Sequence, residues 1–413
     1  MPSALSWLDF AESDRQRAMQ VIDLFREKNT VDELGFAPIR DALADALFPG
    51  TSTIQTRARY FLFLPWLMRR YENRKFTVPQ IAEKIWKRET KLIKALLAGD
   101  EKQGGIIGRD ALDALKRMPS SVYWRGLHLW GIRLFSGSID QYCRRCARAR
   151  SAADQSVVTD DGEPLSASSR NWHPSLPNEP DDLYERASFQ LTAQEAEFLR
   201  ERICAAQPTS MLAQVVSRAT SELTAGFAWD DALNGMLTPE LRTAVAHARR
   251  FAMCAWGGPL IYSRMLAGMK QNAELVTKLD ISLAEWREAI GHEVTDLSEW
   301  DRGGFWSLIH RLNPRLSPRT QTFADNWIGV ALRAAEGTPV WNEAAVQKLI
   351  EGRERQLKGA RARLRPENQR ARDRWQGDAE GGPMDYRWGS TRIIVNDIMV
   401  GLHGAADEGT PDA

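Results

Sequence analysis

The chain has 413 residues, 43% of them hydrophobic and 26% charged, with 55 Lys+Arg against 54 Asp+Glu for a formal net charge of +1. That length suits two or three domains with real cores, and the composition is that of a soluble globular protein. The balanced charge excludes a global field pulling the protein to nucleic acid or a membrane, so any such attraction must come from local patches.

The opening MPSALSWLDFAESDRQ lacks a basic start and a long apolar core, so no export signal is expected. A first helix is predicted over Glu12–Lys28, placing Met19, Ile22 and Phe25 together. Ile39, Ala42, Leu43, Ala46 and Leu47 follow at the i, i+3, i+4, i+7, i+8 positions of one helical face. Pro49-Gly50 breaks that helix, and Thr51, Ser52 or Thr53 can cap a next one over 52–74, kinked at Pro65. Gln55, Arg57 and Arg59 would then occupy its first turns, ahead of a dense aromatic and aliphatic run. That run, Tyr60–Met68, is far short of the roughly 20 residues that span a bilayer, so no membrane partner is expected.

Further helices are predicted over Pro79–Ala98, at 110–117 after a Gly-rich link, and from Pro119-Ser120-Ser121 onward. Residues 151–187, rich in Ser, Asp and Pro, read as an inter-domain linker or long surface loop. Thr192 with Glu195 has capping-box spacing, and helices are predicted at 209–225, 238–272, 282–293, 318–336, 341–360 and 388–402. Alternating polar and β-branched residues are nearly absent. The expected fold is mainly α: a helical domain over 1–150, the 151–187 connection, and a helical domain over 188–413. Short helices between 36 and 135 permit helix-turn-helix or winged-helix-like elements, with 52–63 or 120–134 as a recognition helix.

Catalytic signals are weak. Cys143 and Cys146 have zinc-ligand spacing, but the other cysteines, Cys204 and Cys254, are isolated; two cysteines on a basic helix is the plainer reading. Four such cysteines fit a reducing cytosol better than a disulfide framework, so the expected localisation is cytoplasmic. His292-Glu293 begins the zinc-protease pattern HExxH, but position 296 is Asp. No Walker A, GxSxG or kinase pattern occurs, and no cofactor is expected. Asp385 and Asp397 flank an aromatic stretch and are candidates for a pocket, or, more plainly, for capping helices or pairing with nearby arginines.

Basic clusters speak more clearly. Residues 353–374 carry nine Lys/Arg against three acids, a local net of +6. Such a block can neutralise phosphates and release their counterions. Its Arg361, Arg363, Arg365, Arg370 and Arg372 join Gln55, Arg57 and Arg59 as candidate nucleic-acid or partner-binding residues. Arg144, Arg145, Arg148 and Arg150 form a second patch, and Trp375, Tyr386 and Trp388 are candidates for stacking on unpaired bases. The plain alternative is a solvated helix face.

SWLDF, then VIDLFREKNTVDELGFAPIRDALADALFPGTSTIQTRARYFLFLPWL, NWHPSLP, LTAQEAEFL and DYRWGSTRIIVNDIMVGL resemble a bacterial family of about this length, the unknown-function family 6361. The resemblance supplies no catalytic residues. It implies a setting among defence and mobile-element genes, near helicases or phospholipase-D-like nucleases. The leading expectation is a non-catalytic, nucleic-acid-associated or scaffolding component of a bacterial anti-phage system, with DNA and other defence proteins as partners. A nucleic-acid-processing enzyme with an unlisted site and a module that binds an acidic protein are the alternatives.

Overall fold

The computed structural model describes residues 32–72, 74–99, 104–109, 117–153, 170–375, 377 and 382–403. The helix expected at Glu12–Lys28, all but the last residue of that at 110–117, and residues 154–169 fall outside them. The described residues form helices and coil, with no strand and one isolated bridge between Arg133 and Trp172, so the fold is mainly α. The helices are α1 Ala37–Leu47, α2 Tyr60–Arg69, α3 Val78–Ala98, α4 Pro119–Leu129, α5 Ile139–Ala153, α6 Ala193–Ala206 and α7 Met211–Arg218. They continue with α8 Pro239–Met269, α9 Ala273–Gly291, α10 Val294–Ser298, α11 Arg302–Leu312, α12 Pro318–Ala335, α13 Ala344–Lys358, α14 Gln369–Asp373 and α15 Trp388–His403. None among the described residues is long and apolar enough to cross a membrane.

The chain divides into two compact units, each assembled from separated stretches: 1–40 with 249–384, and 41–248 with 385–413. These boundaries do not coincide with the 151–187 stretch. Its described part, 170–187, is coil that buries Trp172, Leu176 and Leu183, and apolar anchors of this kind hold a segment to its own unit.

The first unit is organised around indoles. Phe36 packs against Phe251, Phe323 and Trp327 with ring centroids 5.4–6.5 Å apart. Trp327 donates to the Cys254 carbonyl at 2.8 Å, and Trp286 to that of Met253 at 3.0 Å, so both indole N–H groups are satisfied inside the core. Gly257 on α8 makes room for this: a Cβ there would lie 2.4 Å from the Trp286 ring.

The second unit forms around α2, whose residues Tyr60–Met68 are all buried. Phe61 stacks on Trp130 at 3.8 Å, and Trp130 donates to the Pro49 carbonyl at 2.8 Å. Gly50 holds φ +86°, and a Cβ on it would strike the Trp130 indole at 2.4 Å, so this turn needs glycine twice over.

The helix expected over 52–74 is shorter than its periodicity implied, running only from Tyr60 to Arg69. Residues 51–58 fold as turns instead, because their polar side chains bond the nearby backbone. Thr51 Oγ1 donates to Phe48 O at 2.8 Å, Gln55 Nε2 donates to Gly50 O at 3.1 Å, and Gln55 Oε1 accepts from Ser52 N at 3.2 Å. The Tyr123 hydroxyl completes the loop, accepting from Thr56 N at 2.8 Å and donating to Arg57 O at 2.9 Å.

Elsewhere the caps fall where the residues imply. Thr192 and Glu195 make the capping box of α6, and Thr77 with Gln80 makes one at α3. The N-terminus of α4 is capped from another helix. Glu89 on α3 is 1% exposed and accepts from Ser120 N at 2.6 Å and Ser120 Oγ at 3.1 Å. Burial pushes the Glu89 carboxyl from 4.5 up to about 7, the Ser120 bonds pulling it partly back. A carboxyl raised on folding holds its proton in the folded state while the unfolded chain has released it, so stability falls as pH climbs from 4.5 through about 7. The loss attributable to Glu89 is up to about 3 kcal/mol. Urea denaturation at pH 5 and pH 8 is expected to show the parent losing stability relative to Glu89→Gln across that interval; equal pH slopes would refute this role for Glu89.

Candidate nucleic-acid interface

The basic stretch 353–374 lies in the first unit and begins on the last turns of α13, whose Val346 and Ile350 face the core. Gly359, at φ +56°, ends that helix, and the chain returns through a short turn and coil to α14. The return is fixed by Glu354, which is fully buried. Its carboxylate accepts from Tyr262 OH at 2.7 Å, Lys358 Nζ at 3.0 Å, and the backbone N–H groups of Arg363 and Leu364 at 2.9 Å. Four donors offset the cost of burying one charge. Glu33 takes both Lys358 and Arg363 as a shared counter-ion.

Two further arginines are internal. Arg353, 4% exposed, donates to Leu34 O at 2.8 Å, Thr320 Oγ1 at 3.0 Å and Gln356 Oε1 at 2.7 Å. Burial pushes its guanidinium down from the usual arginine value, and nearby Asp32 draws it back up. Arg372, 8% exposed, gathers the carbonyls of Arg363 at 3.0 Å and Pro366 at 2.8 Å together with that of Arg365, and so shapes the coil before α14. Both cations bond neutral acceptors, so their charge is not cancelled in contact.

The remaining arginines divide simply. Arg365 pairs with Glu367 at 3.5 Å near the surface, where such a bridge is weak. Arg355, Arg361, Arg370 and Arg374 are exposed, and none touches a carboxylate among the described residues. Of the five arginines singled out here by sequence, Arg361 and Arg370 face solvent, Arg363 and Arg365 are half-buried in ion pairs, and Arg372 is structural.

The second unit treats its candidates differently. Gln55 is 3% exposed and bonds its own loop. Arg57 grips Asp397 through Nε at 3.0 Å and Nη2 at 2.8 Å, and Asp397 also accepts from Ala58 N at 2.8 Å. Arg59 donates to Glu195 at 2.9 Å and to the Ser188 carbonyl at 2.8 Å. All three precede α2 rather than riding on its first turns. The stacking candidates are core residues: Tyr386, 2% exposed, donates to Ala248 O at 2.8 Å, and Trp388, 0% exposed, donates to Ala225 O at 2.9 Å. Trp375, in the first unit, is also buried.

Cys143 and Cys146 are buried on α5, and burial pushes their thiols up to about 11 and 12, respectively, so neither is a ready thiolate. Among the described residues no three His, Cys, Asp or Glu side chains are placed to hold one metal ion. The near-motif at 292–296 is used in pairing: Glu293 meets Arg249, and Asp296 accepts from Arg250 Nε at 2.8 Å, which holds the Asp296 carboxyl below its usual value.

Reasoning from sequence missed Glu33 and Glu195 as counter-ions, since nothing in local spacing points from Glu33 to Arg363. A model of a family of unknown function (DUF6361) matches residues 2–399. No curated protein and no solved structure matches the chain.

The division of the arginines has a thermodynamic signature. Replacing Arg372 by Met strands the carbonyls it gathers and is expected to cost about 2–4 kcal/mol in urea denaturation, whereas Arg370→Met is expected to stay within about 0.5 kcal/mol. Equal effects of the two substitutions would contradict the assignment.

Proposed function

The chain belongs to that family, and from the exposed cations of its first unit we propose that it is a non-catalytic, nucleic-acid-associated component of a bacterial anti-phage defence system. The carrying observation is that Arg355, Arg361, Arg370 and Arg374 stay exposed while their neighbours are consumed in internal bonds. Arg372, which bonds only neutral carbonyls, lies in the same segment and adds to the positive field. The defence setting enters through the family resemblance. Three nearby acids, Glu33, Glu354 and Glu367, are committed to lysine or arginine, which supports the non-catalytic part, and Asp373 stands exposed beside them.

With Trp375 buried, contact falls to guanidinium groups and phosphates, without base stacking. Charge density then decides affinity, and duplex DNA carries more of it than a single strand. An acidic protein segment is the second reading, favoured by Leu357, 44% exposed between Arg355 and Arg361.

In electrophoretic mobility shifts over a salt series, the protein is expected to retard duplex DNA at low salt, more tightly than single strands of equal length. Joint replacement of Arg355, Arg361, Arg370 and Arg374 by Glu is expected to cost roughly tenfold or more in affinity. No retardation at the lowest salt would overturn the proposal. Degradation of the probe with divalent metal present would replace it with an enzyme.

A further inference from the structure

The second unit carries a basic face of its own. Helix α3 buries Ile81, Ile85, Leu92, Ile93 and Leu96 along one side. At 100° per residue, Lys84, Lys87, Arg88, Lys91 and Lys94 fall together on the adjoining side, within an arc of about 120° and over a length of about 15 Å, with Lys84 and Arg88 half-buried at its edge and Lys87, Lys91 and Lys94 exposed. Lys87 pairs with Glu83 at 2.6 Å, but both side chains are more than half exposed, so the pair is weak. Lys84, Arg88, Lys91 and Lys94 make no ion pair among the described residues.

Tyr184, from the coil 170–187, organises this face. The Arg88 guanidinium lies 4.4 Å from the centre of its ring, Lys91 Nζ 5.5 Å and the Arg70 guanidinium 5.6 Å. Lys84 sits 4.5 Å over Phe76 in the same way. An aromatic face attracts cations and offsets part of the mutual repulsion of Arg70, Arg88 and Lys91. Arg70 is additionally tied to Glu179 at 2.8 Å.

We propose that the Lys84–Lys94 face of α3, with its Tyr184 cradle, is a second and independent binding surface for the phosphate backbone of duplex nucleic acid. A band of cations about 15 Å long spans several successive phosphates of one strand, which recur about every 3.4 Å along the helix axis. Acidic peptides draw much of their affinity from apolar anchors, and the exposed apolar residues of α3, Trp86 and Leu97, fall outside the arc. Insertion into a lipid surface needs a free apolar face, and that of α3 is buried in the unit's core.

Fluorescence anisotropy of a short labelled duplex over a salt series tests this on the full chain. Replacing Lys84, Lys91 and Lys94 together by Glu is expected to lower the melting temperature slightly, as the contacts to Phe76 and Tyr184 are lost, and to leave the helical circular dichroism at 25 °C unchanged. Affinity should fall roughly tenfold or more, and the log–log salt slope should flatten by about 2.7, or 0.9 per lost phosphate contact. The variant with Glu at Arg355, Arg361, Arg370 and Arg374 should keep the α3 share of that slope. If the α3 variant binds with parental affinity and slope, this inference is overturned while the first-unit proposal stands. If only the α3 variant loses binding, the reverse holds. A protein that ignores the duplex but is captured by a polyglutamate peptide overturns it in favour of an acidic protein.

Discussion

The ion pair between Arg57 and Asp397 joins positions 340 residues apart and closes the second unit, whose chain comes from two separated stretches. Both side chains are about nine-tenths buried, so each gives up most of its hydration. Contacts through Nε and Nη2 of Arg57, with the N–H of Ala58, offset that cost. Removing one partner from such a pair typically destabilises by about 3–5 kcal/mol, because the other charge is stranded. The same two stretches meet again where Arg387 donates to Thr51 O at 3.2 Å and Ser390 to Ser52 O at 2.9 Å. Tyr386 and Arg387 hold φ of 52° and 72°, an uncommon conformation for residues with side chains. Bonds from Tyr386 OH to Ala248 and from Arg387 to Asp45 keep them there.

Internal arginine is therefore a building material in this protein. A guanidinium offers five donors in a planar fork, so one side chain can satisfy several carbonyls that a bending chain would otherwise leave bare. Arg353 and Arg372 do this in the first unit. Arg133 does it in the second, stacked on Trp124 with its centre 4.2 Å from the ring and donating to the carbonyls of Trp124 and Gly137 at 3.0 Å. Burial pushes Arg133 down to about 10, and it remains a cation at neutral pH. Surface cations obey a different rule, staying hydrated whether alone or in weak ion pairs such as Arg125 with Asp45. A charge count along the sequence merges the two kinds.

Local order was legible before the structure. Helical periodicity placed α1, α8, α12 and α15 within a few residues of their ends, and Thr192 with Glu195 announced the start of α6, because helices and caps are written in neighbours three and four positions apart. The start of α2 was not, since tertiary bonds from Tyr123 and Asp397 hold Thr56, Arg57 and Ala58 in turns. Long-range partners were invisible for the same reason: no spacing rule links Arg59 to Glu195 or Arg363 to Glu33. The lysines of α3 were in plain view, but their contact with Tyr184 was not, since that ring arrives from a stretch that composition marked as linker.

The two units share one pattern: buried guanidinium groups are consumed in internal bonds to carbonyls and carboxylates, whereas Arg355, Arg361, Arg370 and Arg374 stay exposed. Labelling of the native protein with an arginine-selective dicarbonyl reagent, mapped by peptide mass spectrometry, tests that division most directly. Arg355, Arg361, Arg370 and Arg374 should react quickly, while Arg57, Arg59, Arg133, Arg353 and Arg372 should stay protected until denaturant is added. Modification of Arg57 or Arg353 at the rate of Arg361 in the folded protein would contradict it.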